Sequence, residues 1–414
     1  MSDLSRAFAK QKLASLPPEP PLFEEGPTSA SSSRTTIPED DGDSSSASSM
    51  SSTGTVVPSG PYKPAIVLPW SNFFAQELWL EDANAKYHAY FTPPSTAKSA
   101  LFVLHHGAGS SAMSFALFAL ELKRLLPDAG ILAIEAREHG SVVYTSPDRS
   151  SIDNDLSITN LSSDLHRILT LTASKQSWPT LPRLLLVGHS LGGAVVTNLA
   201  SNAPPDLKSK IVGFAVLDVV EGSAMDALKS MNSYLATRPS TFTSLDQAIT
   251  WHIRSRTLRN VESAKASVPS LLIEDGDGLG KWTWRTDLSR TEAYWRNWFD
   301  GMSGKFLAGR GAKLLLLAGT DRLDKELMIG QMQGELPSCE SMLLLGEKRI
   351  FADQRIFDAG KFQLQVFPAA GHFIQEDLPE RTAEIIAEFF KRNDQSALVL
   401  PPKVSDLLAQ GKKV

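Results

Sequence analysis

Residues 183–201 read RLLLVGHSLGGAVVTNLAS. The first half is an unbroken apolar run of strand length, Leu184 to Val187. The second half, from Leu191 to Ser201, is small and apolar at helical spacing. Between them lies Gly188-His189-Ser190-Leu191-Gly192, a G-x-S-x-G pattern at a strand-to-helix junction. Glycines at both ends let the chain reverse in a tight, strained turn that lifts the serine hydroxyl above the end of a sheet. The helix that follows aims its first amides at the same point. A bare G-x-S-x-G is common, and its position between strand and helix is what makes this one specific.

Working outward from this junction, strand-like and helix-like segments alternate. Residues 86–92 (KYHAYFT), 99–106 (SALFVLHH), 130–136 (GILAIEA), 211–220 (IVGFAVLDVV), 313–319 (KLLLLAG) and 362–368 (FQLQVFP) read as strands. Residues 115–126 and 158–173 have helical apolar periodicity. The alternation predicts an α/β fold with a mostly parallel sheet covered by helices on both faces. Residues 222–308 break the pattern. They read as helical, Trp-rich and without a clear strand, so they are expected to form a helical lid inserted after the strand ending at Asp218.

Residues 1–60 are dominated by Ser, Thr, Gly and acid and are expected to be a disordered tail, because they cannot bury enough apolar surface to offset the entropy of ordering. The core then falls into residues 61–221, 309–334 and 360–392, with 393–414 as a C-terminal tail. The 414 residues are 42% hydrophobic and 21% charged, enough for a large core, with a formal net charge of -5. That balance gives no basic footprint for nucleic acid and no polybasic patch for a membrane surface. No apolar run is long enough to span a bilayer, and the N-terminus lacks the apolar stretch of a secretory signal. The lone cysteine, Cys339, permits neither an intrachain disulfide nor a cysteine metal cluster, which points to the cytosol or nucleus rather than secretion.

A nucleophilic Ser190 needs an oxyanion hole, a base and an acid. One oxyanion amide is expected from Leu191, and the second from Ala108 in HHGAGSSAMSF (105–115), a small-residue loop after an apolar strand. Of eight histidines, His372 in PAAGHFIQED follows the last strand, where chain order places the base. Two acids end strands in the right interval, Asp218 in VLDVVEG and Asp321 in LLLLAGTDRLD. Spacing leaves both open, and strand position alone leans to Asp321.

Several longer strings are more specific than the elbow. LPWSNFF, LDVVEGSAMDAL, RPSTFTSLDQAITW, TWRTDLSRTEAYWRNWFDGMS, LLLLAGTDRLDKELMIGQMQG and AAGHFIQED together make the chain resemble the protein phosphatase methylesterases, which have the α/β-hydrolase fold. The resemblance covers about residues 66–334 and 360–392. It implies a serine esterase that hydrolyses the methyl ester on the C-terminal leucine of the catalytic subunit of type 2A protein phosphatase, with that subunit as partner; the mechanism needs no cofactor, and the sequence shows no metal-ligand cluster, so no bound metal is expected. It also implies the triad Ser190, Asp218 and His372, which reverses the lean toward Asp321. The alternatives are a general carboxylesterase or lipase of the same fold, or a catalytically impaired phosphatase-binding protein.

The chain departs from the family pattern in three places. Glu135 stands in EAREHG where an aspartate is expected. The acidic loop between the lid segments shrinks to about IEDGDGLG, while the N-terminal tail is long. Residues 335–359 interrupt IGQMQG and GKFQLQV, and read either as an untranslated-intron artefact of the gene model or as a surface insertion.

Overall fold

Nearly every apolar run named above becomes a strand in the computed structural model, which describes residues 67–276, 280–319, 324–325, 327–329 and 362–394. The strands are β1 (Gln76–Glu81), β2 (Ala85–Thr92), β3 (Leu101–His105), β4 (Gly130–Ile134), β5 (Val142–Val143), β6 (Leu184–His189) and β7 (Ile211–Leu217). After them come the short β8 (Thr241–Phe242), β9 (Leu272–Glu274) and β10 (Trp282–Trp284), then β11 (Ala312–Leu317) and β12 (Phe362–Val366). The main sheet has the order β1-β2-β4-β3-β6-β7-β11-β12, with β5 paired to β2. From β4 to β12 all neighbours run parallel, while β1–β2 and β2–β4 are antiparallel.

The central parallel strands β3, β4, β6 and β7 are nearly all apolar because helices cover both of their faces, whereas the edge strand β12 carries Gln363 and Gln365. The helices Ile158–Lys175 and Leu191–Ser201 pack on one side, bringing Leu161, Leu165, Ile168, Val195 and Val196 against Val103, Leu186 and Val216. Ala116–Leu125 and Pro379–Asn393 cover the other, where Phe118, Leu122, Ile386 and Phe389 meet Phe102, Leu185 and Leu314.

Two sequence expectations need correction. The strand predicted for 211–220 ends at Leu217, because Asp218 turns into the left-handed region at φ 54°. The region 222–308 is not strand-free. β8, β10 and β9 form a three-stranded antiparallel sheet beside the helices Leu245–Arg254 and Val261–Ser267, around a separate small core of Phe242, Ala248, Ile249, Leu258 and Leu272. Its strands are two or three residues long, too short to show a period-2 pattern in sequence. β1 also had no strand reading, although its burial alternates at Leu78 and Leu80.

Candidate active site

The elbow works only with glycine at its two ends. A Cβ on Gly188 would fall 2.1 Å from Gly192 O, and one on Gly192 would fall 2.1 Å from His105 O in β3. Backbone crosses backbone there, and no side chain can be accommodated. Ser190 sits at φ 51° and ψ -121°, a strained conformation for a residue with a Cβ. The strain is held by Ser190 N–H donating to Leu217 O at 3.0 Å and by Gly193 N–H donating to Ser190 O at 2.8 Å. Leu191 is the first residue of the helix, so its N–H has no intrahelical acceptor.

Asp218 stands one strand over, just past β7. Its N–H donates to Leu316 O at 2.7 Å, and its Oδ1 accepts Ala318 N–H at 2.8 Å. With one oxygen tied to β11, the other, Oδ2, accepts Nδ1–H of His372 at 2.8 Å. The carboxylate is fully buried and the imidazole half exposed. That bond commits Nδ1 to the acid and leaves Nε2 as the ring nitrogen for an incoming proton. Asp321, the competing acid, lies outside the described residues.

The loop carrying His372 is held from two sides. His189, on the elbow, donates from Nε2 to His372 O at 2.8 Å and packs its ring 4.7 Å from the His372 ring. Asp377 accepts Gly371 N–H at 2.6 Å on one oxygen and Arg259 N–H at 2.8 Å on the other, so it couples the loop to the inserted region. Sequence reading gave neither His189 nor Asp377 this anchoring role.

On the opposite side of Ser190, the loop 105–115 is pinned by histidines. Gly109 N–H donates to His139 Nε2 at 2.8 Å, while His139 Nδ1 donates to Arg137 O at 2.9 Å. Ala136 N–H donates to His106 Nε2 at 3.0 Å, and His106 Nδ1 donates to Gly107 O at 2.8 Å. Each ring acts as donor at one nitrogen and acceptor at the other, which only neutral imidazole can do. Burial enforces that state. It pushes His105 and His139 down to about 4 and holds His106 well below its usual value. Gly107 lets this loop approach Ser190, since a Cβ there would sit 3.0 Å from Ser190 Cβ. Ala108 follows it on the wall of the same cavity as Ser190 and His372.

Behind the loop, burial raises Glu135 to about 8, so its carboxyl is neutral near pH 7. His106 Nε2 lies 3.4 Å away but already accepts Ala136 N–H, so the two are not an ion pair. Arg137 in the same turn makes a bidentate pair with Asp164, at 2.5 and 2.8 Å, which also accepts Tyr87 Oη–H at 2.9 Å. The His-His pair and Arg-x-His-Gly were visible as strings. Their joint role was not, because 30 residues separate each donor from its acceptor.

The arrangement can support acyl transfer by a serine nucleophile. The model of the Alpha/beta hydrolase family matches residues 102–385. A protein phosphatase methylesterase 1 from Aspergillus fumigatus is 50% identical to this chain, over 99% of it and 93% of the relative. The protein of that name from Gibberella zeae is 49% identical with both chains covered completely, and the one from Schizosaccharomyces pombe is 39% identical over 81% of this chain and 87% of its own. This chain belongs to the protein phosphatase methylesterase family. It is a carboxylic ester hydrolase of α/β-hydrolase fold. Among solved structures, a peroxisomal alpha-beta-hydrolase from Saccharomyces cerevisiae superimposes with a TM-score of 0.51 at 12% identity, covering 79% of this chain and 88% of that one, a likeness of fold alone.

In this methylesterase the cavity above Ser190 has a volume of about 980 Å³, far more than a methyl ester needs. Four of the five tryptophans of the inserted region line it: Trp251, Trp284, Trp295 and Trp298. Trp295 and Trp298 are also buried in the main core, with Trp298 Nε1 donating to Leu156 O at 2.7 Å, so these two combine packing with wall. Trp282 lies in the small core instead. Among the described residues, no group of three His, Cys, Asp or Glu side chains could hold a metal ion, and no helix is long and apolar enough to cross a membrane.

Proposed function

We propose that this chain removes the methyl ester from the C-terminal leucine of the type 2A protein phosphatase catalytic subunit, with Ser190, His372 and Asp218 as its catalytic triad. In this reading Ser190 Oγ attacks the ester carbonyl while His372 Nε2 takes its proton. Asp218 holds the imidazole in the required tautomer and stabilises the imidazolium. The amides of Leu191 and Ala108 receive the developing oxyanion. Collapse of the tetrahedral intermediate expels methanol, protonated by His372. Water, deprotonated by the same ring, then attacks the acyl enzyme and releases the leucine carboxylate and Ser190. The observation that carries the assignment of the acid is the 2.8 Å bond between His372 Nδ1 and Asp218 Oδ2. The lone cysteine suits a reducing compartment, the cytosol or nucleus.

The test is to incubate wild type and Ser190→Ala with methylated phosphatase catalytic subunit and follow the methyl ester. Loss with wild type and none with Ser190→Ala is expected. Persistence of the ester with wild type, alongside rapid cleavage of small acyl esters, would replace this proposal with a general carboxylesterase.

A further inference from the structure

The charged side chains that line the cavity divide unequally. Its acids all have partners. Asp218 accepts from His372, Asp226 pairs with Lys229 at 2.7 Å, Asp324 accepts Ser303 Oγ–H at 2.6 Å, and Glu376 accepts Ser267 Oγ–H at 2.5 Å. Its two arginines do not. Neither Arg238 nor Arg256 has a carboxylate within ion-pair distance among the described residues.

Arg238 is the more telling of the two. It follows the helix Met231–Thr237 and opens the string RPSTFTSLDQAITW. Its guanidinium lies 3.7 Å over the ring of Trp284, whose Nε1 donates to Pro239 O at 2.7 Å. The arginine is therefore positioned by a stack that is itself anchored to the next residue of the chain. Partial burial lowers its pKa, and the ionisable group that offsets this is Tyr234, not an acid. Burial, and secondarily the arginine's charge, pushes His252 nearby down to about 4 and holds it neutral. Stacking satisfies the face of a guanidinium but not its five N–H donors, which lie in the ring plane and form a fork matched to a carboxylate. Leaving such a cation half-desolvated beside apolar rings is unfavourable unless a ligand completes it. The esterified C-terminus of such a substrate carries no charge, so an anion suited to Arg238 must come from another group of the peptide.

We infer that Arg238, fixed over Trp284, is a specificity residue that receives an acidic side chain of the substrate peptide upstream of the esterified C-terminus. This rests on the esterase reading above and adds a substrate requirement to it. The leaving methanol offers no handle for recognition, and the apolar cavity walls accept many C-terminal residues. One carboxylate set back from the ester would separate an intended tail from other esterified peptides.

The experiment uses the full chain with synthetic peptide methyl esters that differ at one upstream position, Asp or Glu against Asn or Gln, scanned through the four residues before the C-terminus. For wild type, kcat/KM for the acidic peptide at one position is expected to exceed that for its amide partner by on the order of tenfold, the size of one charge-assisted hydrogen bond in a partly buried site. That ratio is expected to shrink toward one in Arg238→Gln and to survive only in part in Arg238→Lys, which keeps the charge but loses the planar fork and the stack. It is also expected to fall with added salt. Because the readout is a ratio within each protein, a general loss of activity in the variant does not mimic it. If Arg238→Gln does not fold, the wild-type scan and its salt dependence still decide. Equal rates for acid and amide at every position would overturn the inference while leaving the esterase reading intact. No hydrolysis of any peptide ester would overturn the reading itself. Inhibition by the demethylated neutral peptide that weakens in Arg238→Gln as much as inhibition by the acidic one would assign the arginine to the product carboxylate and overturn the upstream role.

Discussion

The elbow and the inserted region are both walls of one cavity, yet they are built in opposite ways. Around Ser190 the backbone crosses itself at Gly188 and Gly192 with no room for a Cβ, and the adjoining strands are fully buried. Across the cavity, the helices Glu221–Leu228 and Met231–Thr237 have no buried residue at all, and Tyr234 is 47% exposed. The chemistry of acyl transfer demands atoms fixed to a few tenths of an ångström, and close packing supplies that. Recognition of a peptide asks instead for accessible side chains that can meet a ligand. The contrast assigns rate to one wall and selectivity to the other, and substitutions on each should separate along that line.

The largest effect is expected at Gly192→Ala. The added methyl meets the carbonyl of His105, which belongs to a central strand and cannot move aside. Soluble, cooperatively folding protein should be lost, as followed by thermal denaturation; a stable and active variant would show that the elbow is looser than described. Next, Asp218→Asn should leave the fold intact and lower kcat by about 10⁴, the loss typical when the acid no longer fixes the tautomer. Asp321→Asn, assayed beside it, should retain activity, and the reverse outcome would exchange the two acids.

His139→Gln is expected to fall between the walls in size. It weakens the anchor of Gly109 N–H, at a cost of about 1–3 kcal/mol for the donor left unmatched, and kcat should drop with little change in KM. It should also change the response to acid. His139 titrates near 4 when folded against 6.5 when free. Between those values the unfolded chain binds more protons, so this residue makes stability fall as pH drops from 6.5 to 4. Urea midpoints measured across that window should show a shallower slope in the variant. His105 and His252, also near 4 when folded, keep part of it. The smallest effect belongs to Tyr234→Ser on the open wall. Stability should stay within about 0.5 kcal/mol, and KM for a peptide ester should rise by less than about tenfold, or about 1.4 kcal/mol.

Much of this was legible before any coordinates. The central strands of the parallel sheet were read from nearly uninterrupted apolar runs, because strands covered on both faces need no alternation, while the edge strand β12 alternates as FQLQV. Ser190 and His372 followed from a turn that only glycines permit and from chain order. Asp218 was less accessible. Residue spacing could not separate it from Asp321, and only the longer string around it did. The small sheet of β8, β10 and β9 was missed because two or three residues cannot display a period. The roles of His106, His139, His189 and Asp377 were missed for a different reason: each acts on a backbone group that is close in space and, in most cases, remote in sequence.

The sequence by itself therefore determined the strand–turn–helix that carries the serine, the layered sheet beneath it and the family to which the chain belongs. These depend on local sterics and on hydrophobic periodicity, which a string of residues displays directly. Only the tertiary structure decided how Asp218 is tied to the end of β11, which histidines must stay neutral to hold the loop beside Ser190, and which arginine faces the cavity without an acid among the described residues. Those outcomes depend on burial and on contacts between distant segments. Desolvation and hydrogen-bond geometry exist only once the chain has closed around them.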